Sequence, residues 1–455
     1  SMVEKMKIKS LCESWKDRLA AVAKVNENFT YEKKIALAKC LEQTQEYLNW
    51  RLTESKATQS SDIGQFKRFA LDVLTVAVPN LIAFDLVSVQ PISNRNGMIN
   101  YIEYTYNSNK GTTVEGDVFT DAFNKHQSNP SFTLAAVNGE VQPKATAAAV
   151  SGKLSWKPVT PGSVTIKVGS VVITDDGAGV LKGTGLASDG TINYTTGEYN
   201  FTLSTADTTN APVVNYSYNN EYVPAEDVPQ IGIQLKSLPV VAKSRHLGVR
   251  FAYEAQYELR KEYDFDINNE IAKMAAGELN HEIDIEICND LFRSAQEDTE
   301  LSWSKSAPVG VTLVDHYDSF AIKLSEGSVK VYEKTQRVQP NWLLIGTQVL
   351  PVVTAMRSFK SSGASSINGP YFAGTLNGLK VYVNPSFVGS DANAFLLGYK
   401  GNSLFEAGYV YAPYMPIMSS ELLTTMDMMG QRGFVTMYAT KLVNPNLYIK
   451  GKVTA

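Results

Sequence analysis

Histidine is scarce in this chain, with four in 455 residues, and cysteine scarcer still, with three. So few imidazoles leave little room for an acid–base pair or a histidine-rich metal site. Cys12, Cys40 and Cys288 lie too far apart for a zinc knuckle or a disulfide framework, and they fit a reducing compartment. Charged residues make up only 19%, below the ~25% usual in soluble domains. The net charge of −4 gives no bulk attraction for nucleic acid. No run approaches the ~20 apolar residues that span a membrane. The best candidate, Val73 to Val89, is broken by Pro79 and Asp85. Glu4, Lys5, Lys7 and Lys9 leave no apolar core for a signal peptide at the start.

Catalytic motifs are missing in the same way. GAGVLKG at 177–183 lacks the G-x-G-x-x-G spacing and reads as a β-turn. No G-x-x-x-x-G-K-[ST] occurs, and GNSLF fails as G-x-S-x-G at Phe405. His281-Glu282 begins H-E-x-x-H, but Ile285 holds the place of the second histidine. Ser302-x-x-Lys305 has no SDN or KTG companion. Glu282 and Glu286, one turn apart, can share a cation, although a solvated or salt-bridged face is the plainer reading. We expect no catalytic residue, no cofactor, no metal and no enzyme activity.

What is present is 44% hydrophobic residues, ample for large cores, in a length that suggests about three domains. The chain is organised around residues 238–293. A basic ribbon (Lys236, Lys243, Arg245, Arg250, Arg260, Lys261) leads into a proline-free segment, 264–294, that predicts one long helix capped by Asp266. At ~1.5 Å per residue it would run roughly 46 Å. Its apolar positions, Ile267, Ile271, Ala275, Leu279, Ile283, Ile287 and Leu291, recur every four residues. Against a ~3.6-residue turn each step rotates the stripe about 40°, so different partners must cover the helix along its length. Glu270, Glu278, Glu282, Asp284, Glu286 and Asp290 form an acidic face, which suggests pairing with the basic ribbon, between copies of the chain.

Elsewhere, residues 3–54 predict two helices around NENFTY, followed by the polar stretch ESKATQSSDIG. A helix to about Val76 and then extended chain follow, and GMINYIEYTYNS predicts a strand. Residues 126–228 turn rich in Thr, Val, Gly, Ser and Asn, with SVTIKVGSVVITDDGAG and TINYTTGEYNFTLS reading as hairpins. They predict a β-sandwich-like or barrel domain inserted into a continuous framework. NWLLIGTQVLPVVTAMRS predicts a buried strand passing into a helix opened by Pro351.

Several segments go further. VPNLIAFDLVSVQPIS (78–93), AKSRHLGVRFAYEAQYEL (242–259) with ELNHEIDIEICNDL, NWLLIGTQVL, FAGTLNGLKVYVNP, GYKG (398–401) and EAGYVYAPYMPI (406–417) resemble, in the same order, the major capsid proteins of T-even-like tailed bacteriophages. The resemblance covers roughly everything except the β insert. It implies an α+β, Hong Kong-type tailed-phage capsid fold. Mapped here, it implies a helical leader at 1–54, an N-arm at 55–94, an extended loop at 95–125 and 229–258, and the insert at 126–228. A peripheral domain at 259–350 with its spine helix at 264–294 would follow, then an axial domain at 351–455 that returns to the peripheral domain. It also implies self-assembly into hexameric capsomers of an icosahedral head in the virion, built in the host cytoplasm and enclosing DNA without sequence-specific contact. A vertex protein, scaffold, maturation protease and portal would be partners, and no membrane is involved.

The family's Leu/Ile-x-Glu cleavage pattern fits Leu52-Thr53-Glu54 before Ser55, at the junction of helix and polar tether; Leu11-Cys12-Glu13 and Leu404-Phe405-Glu406 match it too. Lys243, Arg245, Arg250, Arg260, Glu278, Glu282 and Glu286 are the expected inter-subunit contacts. A different reading makes the chain a vertex or decoration protein, or a carbohydrate binder stacking sugars on Tyr194, Tyr199, Tyr216, Tyr218 and Tyr222 of the insert.

Overall fold

A computed structural model describes residues 2–25, 29, 31–54, 81–121, 129–222, 228–264, 266–363, 369–401 and 408–455. The helix expected up to Val76 and the tether behind Glu54 lie outside these residues. The chain is α+β and divides into two compact units, residues 1–101, 122–124 and 236–455, and residues 102–121 and 125–235.

The axis of the first unit is the helix Ile267–Ser294, 28 residues long, or ~42 Å. Asp266 caps it, accepting from the Asn268 N–H at 3.1 Å. It starts three residues later than the sequence predicts because Asp264, at φ 51°, ends a separate helix, Tyr253–Tyr263. That helix occupies the end of the charged ribbon. The extended backbone ends at Ala252, and YEAQYELRKEY then offers neither glycine nor proline nor a β-branched residue to oppose a helix.

The rotating stripe meets two covers. Ala272, Ala275, Ala276 and Leu279 pack with Ile417 and Phe434. One to three turns on, Ile283, Ile287, Cys288 and Leu291 share a core with Leu37 and Leu41 of the helix Tyr31–Glu54 and with Tyr409, Tyr411 and Tyr438. The second cover therefore includes the chain's own N-terminal region. That region forms three helices instead of two: Met2–Ser14, Lys16–Val25 and Tyr31–Glu54. At the extra break the Ser14 hydroxyl donates to the Ser10 and Leu11 carbonyls, a local bond that competes with helix continuation.

Two sheets complete the unit. One runs in the order Ser88–Val89, Tyr409–Ser419, Met429–Leu442, Lys243–Ala252, with Leu423–Thr424 also on Met429–Leu442. Lys243–Ala252 pairs antiparallel without a register shift, from Lys243 opposite Tyr438 to Ala252 opposite Met429. The other has seven strands with Trp342–Gly346 at its centre, every residue buried. The following helix, Leu350–Ala355, carries Pro351 in its first turn, as the sequence predicts.

The second unit holds one continuous antiparallel sheet of eight strands, where a β-sandwich-like or barrel domain was expected. Its order is 136–141, 213–217, 165–168, 171–175, 180–182, 186–192, 198–203 and 149–153. Short turns join successive strands from 165 to 203, so neighbours in sequence become neighbours in the sheet. Glu140 closes the gap between the two terminal strands: it accepts from the Ser155 N–H (3.1 Å) and hydroxyl (2.9 Å), from Gln142 (2.7 Å) and from the Tyr216 hydroxyl. Residues 102–121 belong to this unit as well. Lys110, 2% exposed, donates to the carbonyls of Phe132 (2.8 Å) and Leu134 (2.6 Å) and to the Tyr218 hydroxyl (2.8 Å). Its ammonium lies 5.1 Å from the Trp156 ring centre. Burial brings its pKa down to about 8.

Candidate assembly surfaces

The basic ribbon and the acidic helix do meet, within one chain. Arg245 lies diagonally across from Tyr438 on the paired strands. Its Nε donates to the Tyr438 hydroxyl at 2.6 Å, one Nη donates to Glu282 at 2.9 Å and the other to Glu286. The Tyr438 hydroxyl in turn donates to Glu286. The spacing makes this possible: Glu282 and Glu286 stand one turn apart on one helix face, and a planar guanidinium can fork between them. Burial works against the charge on Arg245, but the bonds to Tyr438 and Glu286 overcome it, and its pKa stands above the ordinary arginine value. Burial and the Glu286 bond push the Tyr438 phenol up. Nearby, Tyr409 donates to Asp290 at 2.9 Å, and burial raises its pKa in turn.

The other expected contact residues are not brought together with this cluster. Arg250 pairs with Asp427 at 3.3 Å, both more than half exposed. Lys243, Arg260 and Glu278 are exposed. Glu54 is the last residue of its helix, and Ser55 lies outside the described residues. His281 and Glu282 share a helix, but Glu282 is engaged with Arg245. Of the tyrosines proposed for sugar stacking, Tyr194, Tyr199, Tyr216 and Tyr218 are turned inward, and the Tyr222 side chain lies outside the described residues. Tyr199, Tyr216 and Tyr218 are 2–3% exposed in the core of the insert, and Tyr194 packs against that core and donates to Asp175 at 2.7 Å. Tyr199 and Tyr216 fill the sheet's interior because they occupy inward positions of their strands, so these side chains form no stacking platform.

A surface that the charge pattern hides lies on Ile231–Val241, the terminal strand of a three-stranded sheet with Asn96–Tyr106 and Val118–Asp121. Ile231, Ile233 and Leu235 are 62%, 70% and 66% exposed. They alternate, so they share one face of the strand, while Gln234 and Lys236 take the other. An edge strand with an uncovered apolar face is a surface that invites a partner. The signal was in the sequence: IGIQLK is a clean period-two pattern. Tyr438 had no such signal, since its link to Arg245 spans 193 positions.

Comparison with known proteins agrees with an assembly role. The chain is 24% identical over 401 residues to the major capsid protein of Vibrio phage KVP40, covering 81% of this chain and 74% of that one. It is 23% identical over 425 residues to the major capsid protein of Enterobacteria phage T4, covering 87% and 79%. Among solved structures, the capsid of Myoviridae phage XM1 aligns at TM-score 0.33 and 10% identity over 75% of this chain and 96% of that one. The profile of the family described as major capsid protein Gp23 matches residues 63–455, and the chain belongs to that family.

Proposed function

We propose that this major capsid protein joins its neighbours through the open apolar row of Ile231, Ile233 and Leu235, and that Arg245 stiffens the base from which that strand extends. The carrying observation is the row itself: three large apolar side chains on one strand face that are left exposed among the described residues. In hexameric capsomers many moderate interfaces of this kind act together, each of the order of ~1,600 Å² in a standard contact. Rings of six arise when a heterologous contact closes. Lys243, Arg260 and Glu278 remain candidates for polar rim contacts, whereas Arg245, Glu282 and Glu286 are engaged inside the subunit.

The extended loop of this reading comprises 95–125 and 229–258, with the domain at 126–228 inserted into it. The peripheral domain holds the long helix, and the axial domain holds the later strands of the seven-stranded sheet. The shell encloses DNA without reading its sequence, is assembled in the cytoplasm of the bacterial host and engages a scaffold, a portal, a vertex protein and a maturation protease acting at Glu54–Ser55. The protein performs no catalysis of its own. Ile233→Asp tests the central claim. The purified variant should keep the circular dichroism of the parent and lose capsomers in sedimentation and negative-stain microscopy; particles at parental yield would refute it. N-terminal sequencing of particles tests the cleavage, and a new terminus at Ser55 is expected.

A further inference from the structure

The family match begins at residue 63, yet the helix Tyr31–Glu54 upstream of it is built into the core of the body. Leu37, Ala38 and Leu41 are 0% exposed and Cys40 and Leu48 are 1% exposed. Leu37, Cys40 and Leu41 share a core with Ile283, Ile287 and Leu291 of the long helix and with Tyr411 of the sheet. Leu48 packs on Met418, flanked by Met415 and Val435. The fit is close: the space left between Cys40, Leu81, Ile283, Tyr411 and Ile417 is about 10 Å³.

Polar contacts fix the register. Lys33, its side chain 5% exposed, pairs with Asp85 at 2.8 Å, and the Gln43 amide donates to the Ile92 carbonyl at 2.9 Å. The first two helices ride on the third, with Leu19 and Val22 in the same core and Trp15 donating to Glu42 at 2.8 Å. The arrangement is that of an amphipathic helix seated in a groove, with ligand and groove on one chain.

We propose that residues 2–54 are a separable helical module, held without need of the peptide link, and that the groove between the long helix and strand Tyr409–Ser419 is a helix-binding site whose ligand is this module. A cut behind Glu54 then does not release the module. It converts an intramolecular contact into a complex of two pieces, still sealed by the same apolar face and by the Lys33–Asp85 pair. Without the module, the ends of Ile283, Ile287, Tyr411 and Met418 that it covers would face water. The inference rests on this packing alone and stands whether or not Glu54–Ser55 is cut in the head.

The test uses the full chain carrying a site for a specific endoprotease directly after Glu54. After cutting, gel filtration and native mass spectrometry should find both pieces in one species, retained on dilution. Leu41→Asp should weaken retention at least 100-fold, Leu41→Ala at least 10-fold, and Glu46→Lys, on the exposed face, should leave it unchanged. Departure of the parental piece on cutting, without denaturant, overturns the proposal. So does equal retention in Leu41→Ala, a variant mild enough to fold where Leu41→Asp does not.

Discussion

Replacing Arg245 by alanine separates a clamp inside the subunit from a bridge between subunits. Its bonds are unequal. Glu282 is 46% exposed beside an arginine that is 31% exposed, a geometry in which a pair contributes ~0–1 kcal/mol. Tyr438 is only 5% exposed, and bonds to charged groups in such places contribute about 1.5–3 kcal/mol. Glu286, 35% exposed, still accepts from Tyr438 and reaches water once the guanidinium is gone, so it is not stranded. The net loss should be about 2 kcal/mol, felt where Lys243–Ala252 is fastened to the long helix. Hydrogen exchange of the unassembled protein reads it directly. Amides of Lys243–Ala252 that exchange by local opening should exchange about 30-fold faster, at tenfold per ~1.4 kcal/mol. Lys243→Ala, at an exposed neighbour, should change nothing. A double-mutant cycle with Glu286→Gln should give a coupling of ~0.5–3 kcal/mol. If Arg245→Ala exchanges like the parent and loses only particles, the pair forms between copies and the clamp is wrong.

Further perturbations read other parts of the chain. At Gly277, within the long helix, an added Cβ meets nothing within 4 Å, so Gly277→Ala should stabilise the chain by ~0.5–1 kcal/mol, seen as a raised urea midpoint. Ile287→Ala should cost ~2–5 kcal/mol and speed exchange in Tyr31–Glu54, while Leu279→Ala, under the other cover, should leave that helix protected. Lys110 gives the insert a pH signature. Its folded pKa of about 8 lies below its ordinary 10.5, so the folded state sheds a proton that the unfolded chain keeps. Stability should be flat below pH 8 and rise by ~1–3 kcal/mol towards pH 10. It should then fall, because burial raises the pKa of Tyr199 and Tyr216 and the unfolded chain loses phenol protons first. Lys110→Met should abolish the rise in calorimetric scans, and a rise that persists would refute the role of this lysine.

How much of this was legible in the sequence depends on range. Features written in adjacent residues could be read: the Asp266 cap, Pro351 opening its helix, the Val168–Val171 turn and the hairpin turn between Ile192 and Glu198. The charge on Arg245 and the acidic helix face were legible too, but not that the two belong to one chain. That depends on strand Lys243–Ala252 lying against Met429–Leu442, a pairing of residues almost 200 positions apart whose register no local pattern encodes. The buried tyrosines of the insert misled for a related reason. An alternating strand has two faces, and without the sheet's closure around Glu140 nothing in the sequence says which face is inside.

The four-residue recurrence of the long helix carries the most physical weight. A stripe that turns about 40° with every step cannot lie flat on one sheet, so the helix alone would leave either end of its apolar surface in water. The sheet takes the first half through Ile417 and Phe434, and the N-terminal helix completes the second through Leu37 and Leu41. A sequence whose stripe followed heptad spacing would need only one cover, and the N-terminal helices would then have nothing to seal. The drift of the stripe is thus what ties a segment outside the family match to the core of the subunit.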